Sequence, residues 1–219
     1  MVMRPSVRDY MAIDWDEPMP PPHEVEAGLR NSAVFHVNVD DALLAVTDLI
    51  ERDWANGRAM ATQFALDLDP RVMFFASRNR LHEIPFFPFL FSAPIWLDNE
   101  QLSSFAELLG PPRPAPPGGD IERSFGFRLD SAWVSVAHLA ASLEEGGAYS
   151  SPRLPDAEIE TIVAKVAEAA FGRRYRSTLA YRSYLPWCGW FFGDVFDRSW
   201  FWFDRQSGIA TVLMITDAP

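Results

Sequence analysis

Residues 187–203 read Trp187-Cys-Gly-Trp-Phe-Phe-Gly-Asp-Val-Phe-Asp-Arg-Ser-Trp-Phe-Trp-Phe203, and the chain runs on through Asp204-Arg-Gln-Ser-Gly208 into Ile209-Ala-Thr-Val-Leu-Met-Ile-Thr216. Four of the eight tryptophans and five phenylalanines lie in the first stretch. Segments 199–204 and 209–216 are rich in aromatic and β-branched residues, which suit a pleated, packed surface. Gln206-Ser-Gly208 between them supplies turn chemistry. The pattern predicts an antiparallel hairpin turning at 205–208. Both faces of both segments are apolar, as in a central strand pair or an edge covered by a partner. The fold class that follows is α+β: an antiparallel sheet with helices packed on one face.

Working outward, residues 174–185 alternate. Tyr175, Leu179, Tyr181 and Leu185 share one face, and Arg174, Arg176 and Arg182 the other. That arginine stripe suits an anion or pairing with acids on neighbouring strands. Before it, Ile159, Ile162, Val163, Val166 and Ala170 keep helical spacing after Pro155-Asp156, and Gly172 ends the helix. A helix bearing Trp133, Val136, Ala137, Ala140 and Leu143 is capped by Asp130 or Ser131 and stops at Gly146-Gly147. Residues 124–129 read as a strand with Phe125, Phe127 and Leu129 on one face.

In the first half, residues 34–39 read as a strand. Leu43, Val46, Ile50 and Trp54 form a helix capped by Asp40 or Asp41. Residues 59–68 and 71–77 read as two strands about Asp67-Leu-Asp-Pro70, and 98–109 as a short helix. Residues 14–31 read as an irregular, proline-rich arm, and 84–97 as a buried extended segment. Residues 35–57 align without gaps on 125–147, pairing Phe35 with Phe125, Asp40 with Asp130, Val46 with Val136 and Gly57 with Gly147. Either a duplication or the common grammar of strand, cap, helix and glycine stop accounts for this. The expectation is one domain over 1–219, with sub-halves 30–110 and 120–219 joined by the proline-rich segment 111–119.

The net charge of −11 argues against nucleic acid and anionic membranes, whose phosphates demand clustered cations. It suits a basic protein partner. The most apolar run is shorter than the roughly 20 residues that span a bilayer. No signal-peptide pattern is visible, and the single cysteine, Cys188, excludes an internal disulfide. A cytoplasmic protein is expected. No glycine-rich phosphate loop or nucleophile elbow occurs. No two histidines have ligand spacing, and no cofactor or metal is expected. His36, on a strand, is the fallback metal ligand. The residues favour binding over catalysis.

The candidate partner surface is Trp187, Trp190, Trp200 and Trp202 at the centre, rimmed by Asp194, Asp197 and Asp204. The same aspartates also suit local loop and turn bonds, and the indoles also suit a core. Asp197-Arg-Ser-Trp200, Asp204 and Thr216-Asp217 resemble the C-terminal hairpin of bacterial polymorphic-toxin immunity proteins, over about 20 residues. The resemblance implies an acidic antidote that binds and neutralises a basic toxin. The paired strand–helix units are also similar to the vicinal-oxygen-chelate fold, which implies a ligand-binding or metal-dependent enzyme with His36 as ligand. Two features depart from it: Gly126 stands opposite His36 in the second half, and an extra helix (156–171) intervenes. A third reading is a structural subunit of a homo-oligomer.

Overall fold

The computed structural model describes residues 11, 13–92, 125–148 and 154–217. Six strands form one antiparallel sheet: β1 (Ala33–Val37), β2 (Gly57–Asp67), β3 (Arg128–Asp130), β4 (Thr178–Ser183), β5 (Arg198–Asp204) and β6 (Ile209–Asp217). Their order is β1-β2-β6-β5-β4-β3, so the predicted hairpin is the central pair. Asp204 lies opposite Ile209, with the turn at 205–208. The α+β class and the antiparallel sheet are as expected. Strands from both sides of segment 111–119, which lies outside the described residues, join the same sheet.

Alternation along β5 and β6 divides the core in two. Trp200, Trp202, Leu213 and Ile215 face one side. There they meet α2 (Asp41–Asp53), α5 (Ala132–Glu145) and α6 (Asp156–Phe171). Phe201, Phe203, Val212 and Met214 face the other side. That side is not left bare, as helices on a single face would leave it. α1 (Pro22–Asn31), α3 (Pro70–Ser77), α4 (Phe86–Phe91) and the 184–197 loop cover it. The physical reason is the doubly apolar strand pair, which needs a partner layer on each face.

The second layer comes from segments whose helical character the sequence conceals. Residues 71–77 are helical, not extended. Pro70 opens α3, and Asp69 caps it by accepting from Arg71 N at 3.0 Å. Pro22 likewise opens α1 inside the supposed arm. Segment 84–97 is buried as expected where described, but Phe86–Phe91 is helical. Its rings build an aromatic cluster: Phe87 stacks on Phe127 at 4.4 Å and meets Phe201 edge-on at 5.3 Å. Segment 98–109 lies outside the described residues.

Two further expectations are corrected. Phe125 and Gly126 have positive φ, so a left-handed turn delays β3 to Arg128, although Phe127 is still buried. In α5 the face against the core carries Ala132, Ser135, Leu139, Ser142 and Leu143, while Trp133 is 64% exposed. Helix α6 buries Ile159, Val163, Val166 and Ala170 and ends at Gly172 in the left-handed region, as read. The two aligned units take equivalent outer places, with β1 and β3 at opposite sheet edges. Asp40 caps α2, whereas Ser131 caps α5.

Candidate functional site

The C-terminal aromatic residues are interior. Trp187 and Trp190 are each 5% exposed, and Trp200 and Trp202 are fully buried. Trp187 stacks on Phe91 at 4.4 Å and donates Nε1–H to Ser199 Oγ at 2.9 Å. Trp202 donates Nε1–H to Ser135 Oγ at 2.8 Å, across the sheet from Trp187. The expected surface of four indoles is therefore absent: two fill one core, two the other. Burial of these large rings in both layers is what the doubly apolar strands require.

Its acidic rim is likewise taken up in folding. Asp197 is fully buried. Its Oδ2 accepts from Gly193 N (2.7 Å) and Asp194 N (3.0 Å), and its Oδ1 from Thr216 Oγ1 (2.5 Å). It thereby ties the 184–197 loop to β6. Burial pushes its carboxyl above the ordinary aspartate range, against the pull of those donors. Asp204, also fully buried, organises the β5–β6 turn by accepting from Arg174 Nε (3.0 Å), Gln206 N (3.2 Å) and Ser207. Burial raises its pKa, but Arg174 and Ser207 outweigh that and hold it below the usual range. Asp194 is half-buried and accepts from Val195 N at 2.5 Å. Asp217 accepts from Ala148 N at 2.6 Å. The aspartates of the hairpin that resembles the immunity proteins, Asp197, Asp204 and Asp217, thus anchor backbone N–H groups.

Cys188 is a buried thiol. His36 lies half-buried on β1 opposite Phe64. Among the described residues no group of three or more His, Cys, Asp or Glu is placed to hold a metal. No helix among them is long and apolar enough to cross a membrane.

The structure instead brings together residues that the sequence scatters. A cleft of about 570 Å³ opens at the outer end of the sheet, where β3 ends, β4 begins and β5 turns. Asp130, Ser131 and Val134 come from the β3–α5 junction, Tyr175, Arg176 and Thr178 from the approach to β4, Arg205 from the β5–β6 turn, and Asn79 from the end of α3. A smaller, more apolar cleft of about 340 Å³ lies beside α1, between Val25, Phe75 and Ile84. Of the larger cleft, the sequence marks only Arg176 as an anion ligand, as one of a stripe; it assigns Asp130, Ser131, Leu129, Tyr175 and Leu179 to caps and strand faces. The stripe itself divides. Arg174 pairs with Asp204 as an acid on a neighbouring strand, and Arg182 lies 3.7 Å from Asp130. Arg176 has no ion pair among the described residues. Non-local convergence of this kind leaves no spacing signal.

On the far side of α5, His138 lies near Arg182 and Arg198. Burial and Arg182 lower its pKa. Arg198 pairs with Glu145 at 2.5 Å, so this group is largely neutralised internally. No protein-family model, no curated protein and no solved structure matches this chain.

Proposed function

We propose that this protein binds a basic protein partner, and that its specific role is that of an immunity or antitoxin-like factor. The supporting observation is the charge on the outward side of the α2–α6–α5 layer. Asp48 and Glu51 on α2, Glu158 and Glu160 on α6, and Glu144 and Glu145 on α5 are all exposed. The cations these helices carry are Arg52, which is paired with Asp53 at 2.6 Å, and Lys165; Glu145 is offset by Arg198 of β5 at 2.5 Å. The helices pack side by side against one core, α2 and α5 each against α6, so these carboxylates lie on one side of the sheet. Clustered charge of one sign accelerates capture of an oppositely charged protein and disfavours others.

The test is association with the purified product of the neighbouring gene at low and high salt. Changing Asp48 and Glu158 to Lys is expected to leave stability within about 0.5 kcal/mol, since both are exposed. The association rate should fall about tenfold at low salt, with little loss at high salt. No complex at micromolar concentration, or an unchanged rate in the double variant, would overturn the reading.

A further inference from the structure

The cleft at the outer end of the sheet has no part in that reading, and its charge is opposite to that of the molecule. Arg205 turns inward from the β5–β6 turn and is 6% exposed. Its Nε donates to Ser177 O at 2.8 Å. Nη1 donates to Ser77 O (3.1 Å) and Asn79 Oδ1 (3.0 Å), and Nη2 to Arg176 O (3.3 Å). All four acceptors are neutral. Asp204, next in sequence, is committed to Arg174 and to the turn. Arg205 is thus a buried cation bonded only to neutral oxygens, and Asp204 acts on it through space alone.

Arg176 also lines the cleft and is exposed to solvent. The N-terminus of α5, a helix of 14 residues, adds partial positive charge. One carboxylate lines the cleft, Asp130, and it is already engaged by Ser131 N (2.9 Å) and by Arg182 (3.7 Å). Among the described residues the lining carries two cations, Arg176 and Arg205, against one anion, Asp130, a net charge of plus one.

Leu129, Val134 and Tyr175 supply apolar surface to the same cleft. Tyr175 is held from behind. Trp133 stacks on it at 3.6 Å with the rings 5° from parallel, and Phe171 meets it edge-on at 5.2 Å. This gives a reason for a tryptophan left 64% exposed: it fixes the ring that lines the cleft. Apolar side chains joined by a small number of polar groups are the usual lining of a small-molecule site, and the volume lies within the roughly 300–1,000 Å³ such sites occupy.

We propose that this cleft binds a small monoanionic carboxylate with an apolar body. The Arg176 guanidinium offers a fork that matches a planar carboxylate with two parallel hydrogen bonds, while Arg205, whose nitrogens already donate within the protein, contributes charge. One net positive charge balances one negative charge, so a phosphate dianion would be left undercompensated. The apolar body rests on Leu129, Val134 and Tyr175.

The test uses the full chain with benzoate, its neutral isostere benzamide, and inorganic phosphate, followed through the methyl resonances of Leu129 and Val134. Benzoate is expected to shift these resonances saturably and to bind about tenfold or more tightly than benzamide, the effect of a charged hydrogen-bond pair. Arg176→Gln should weaken benzoate by a similar factor with an unchanged melting temperature. Arg173→Gln, an exposed neighbour outside the cleft, should leave benzoate binding within about twofold, as a distant screened charge would. Absence of a saturable shift, equal affinity for benzamide, or wild-type binding by Arg176→Gln would each overturn the proposal. Tighter binding of phosphate would overturn the monocarboxylate assignment. Failure here leaves the basic-partner reading intact, because the helix face tested there shares no residue with the cleft.

Discussion

Asp217 and Gly147 show how single positions lock this molecule. The Asp217 carboxylate is fully buried and accepts from Ala148 N, directly beneath Gly147. A Cβ at Gly147 would collide with that carboxylate and press on Trp54. Gly147→Ala is therefore expected to destabilise by about 1–3 kcal/mol, as overpacking does, read as a lower urea midpoint with unchanged slope. A midpoint equal to wild type would contradict this contact. Asp197 makes a second prediction, with a definite sign. Its folded pKa is raised by burial, so the native state binds a proton more readily than the unfolded chain. That contribution is present below the unfolded value of about 3.9 and is lost as pH rises through the folded one. Asp204 has the opposite sign: its lowered pKa contributes stability above the unfolded value, lost as pH falls through the folded one. Asp197→Asn keeps an acceptor for Gly193 and Asp194 and a donor for Thr216. Relative to this variant, wild-type stability should decline as pH rises from 4 to 7. A rise would refute the assignment.

At the scale of elements, α5 is the instructive case. Its apolar residues alone suggest a face through Trp133, Val136 and Ala140, yet Ser135 and Ser142 face the core. Ser135 accepts the indole N–H of Trp202 inside a closed layer. Small polar residues at such contacts are invisible to a hydrophobic pattern. Ser135→Ala would leave that N–H unpaired and should cost about 1–3 kcal/mol. Ser142→Ala, whose hydroxyl bonds only within its own helix to His138 O, should cost less. Equal losses would remove the Trp202 bond as the reason. Helix α3 teaches a second lesson. Val72, Phe74, Phe75 and Ala76 read equally as strand or helix over so short a run. The Asp69-Pro70 start was the deciding signal: an N-cap followed by a proline whose missing N–H costs a first turn nothing.

For the whole molecule, two helical layers close on one sheet whose centre is the β5–β6 hairpin. Hydrogen exchange should follow that order. Amides of β5, β6 and the paired part of β2 should exchange only through global unfolding, and those of the edge strands β1 and β3 through local opening. Protection of β1 and β3 equal to that of β5 would contradict the arrangement. The acidic face and the cationic cleft coexist on this frame because each is set by exposed or loop residues that the core does not constrain.

The sequence by itself determined what local physics encodes. Alternating aromatics and a polar turn specify the central hairpin. The Asp40 cap specifies the start of α2, and the Gly172 stop the end of α6. Tertiary structure alone decided where the tryptophans go and what the cleft contains. Side-chain alternation shows that a strand has two apolar faces, but not whether protein or solvent covers them. That depends on α1, α3 and α4, which arrive from distant parts of the chain. Likewise Asn79, Asp130, Arg176 and Arg205 share a cleft only because the sheet order brings β3, β4 and the β5 turn together, and no spacing in the sequence records that approach.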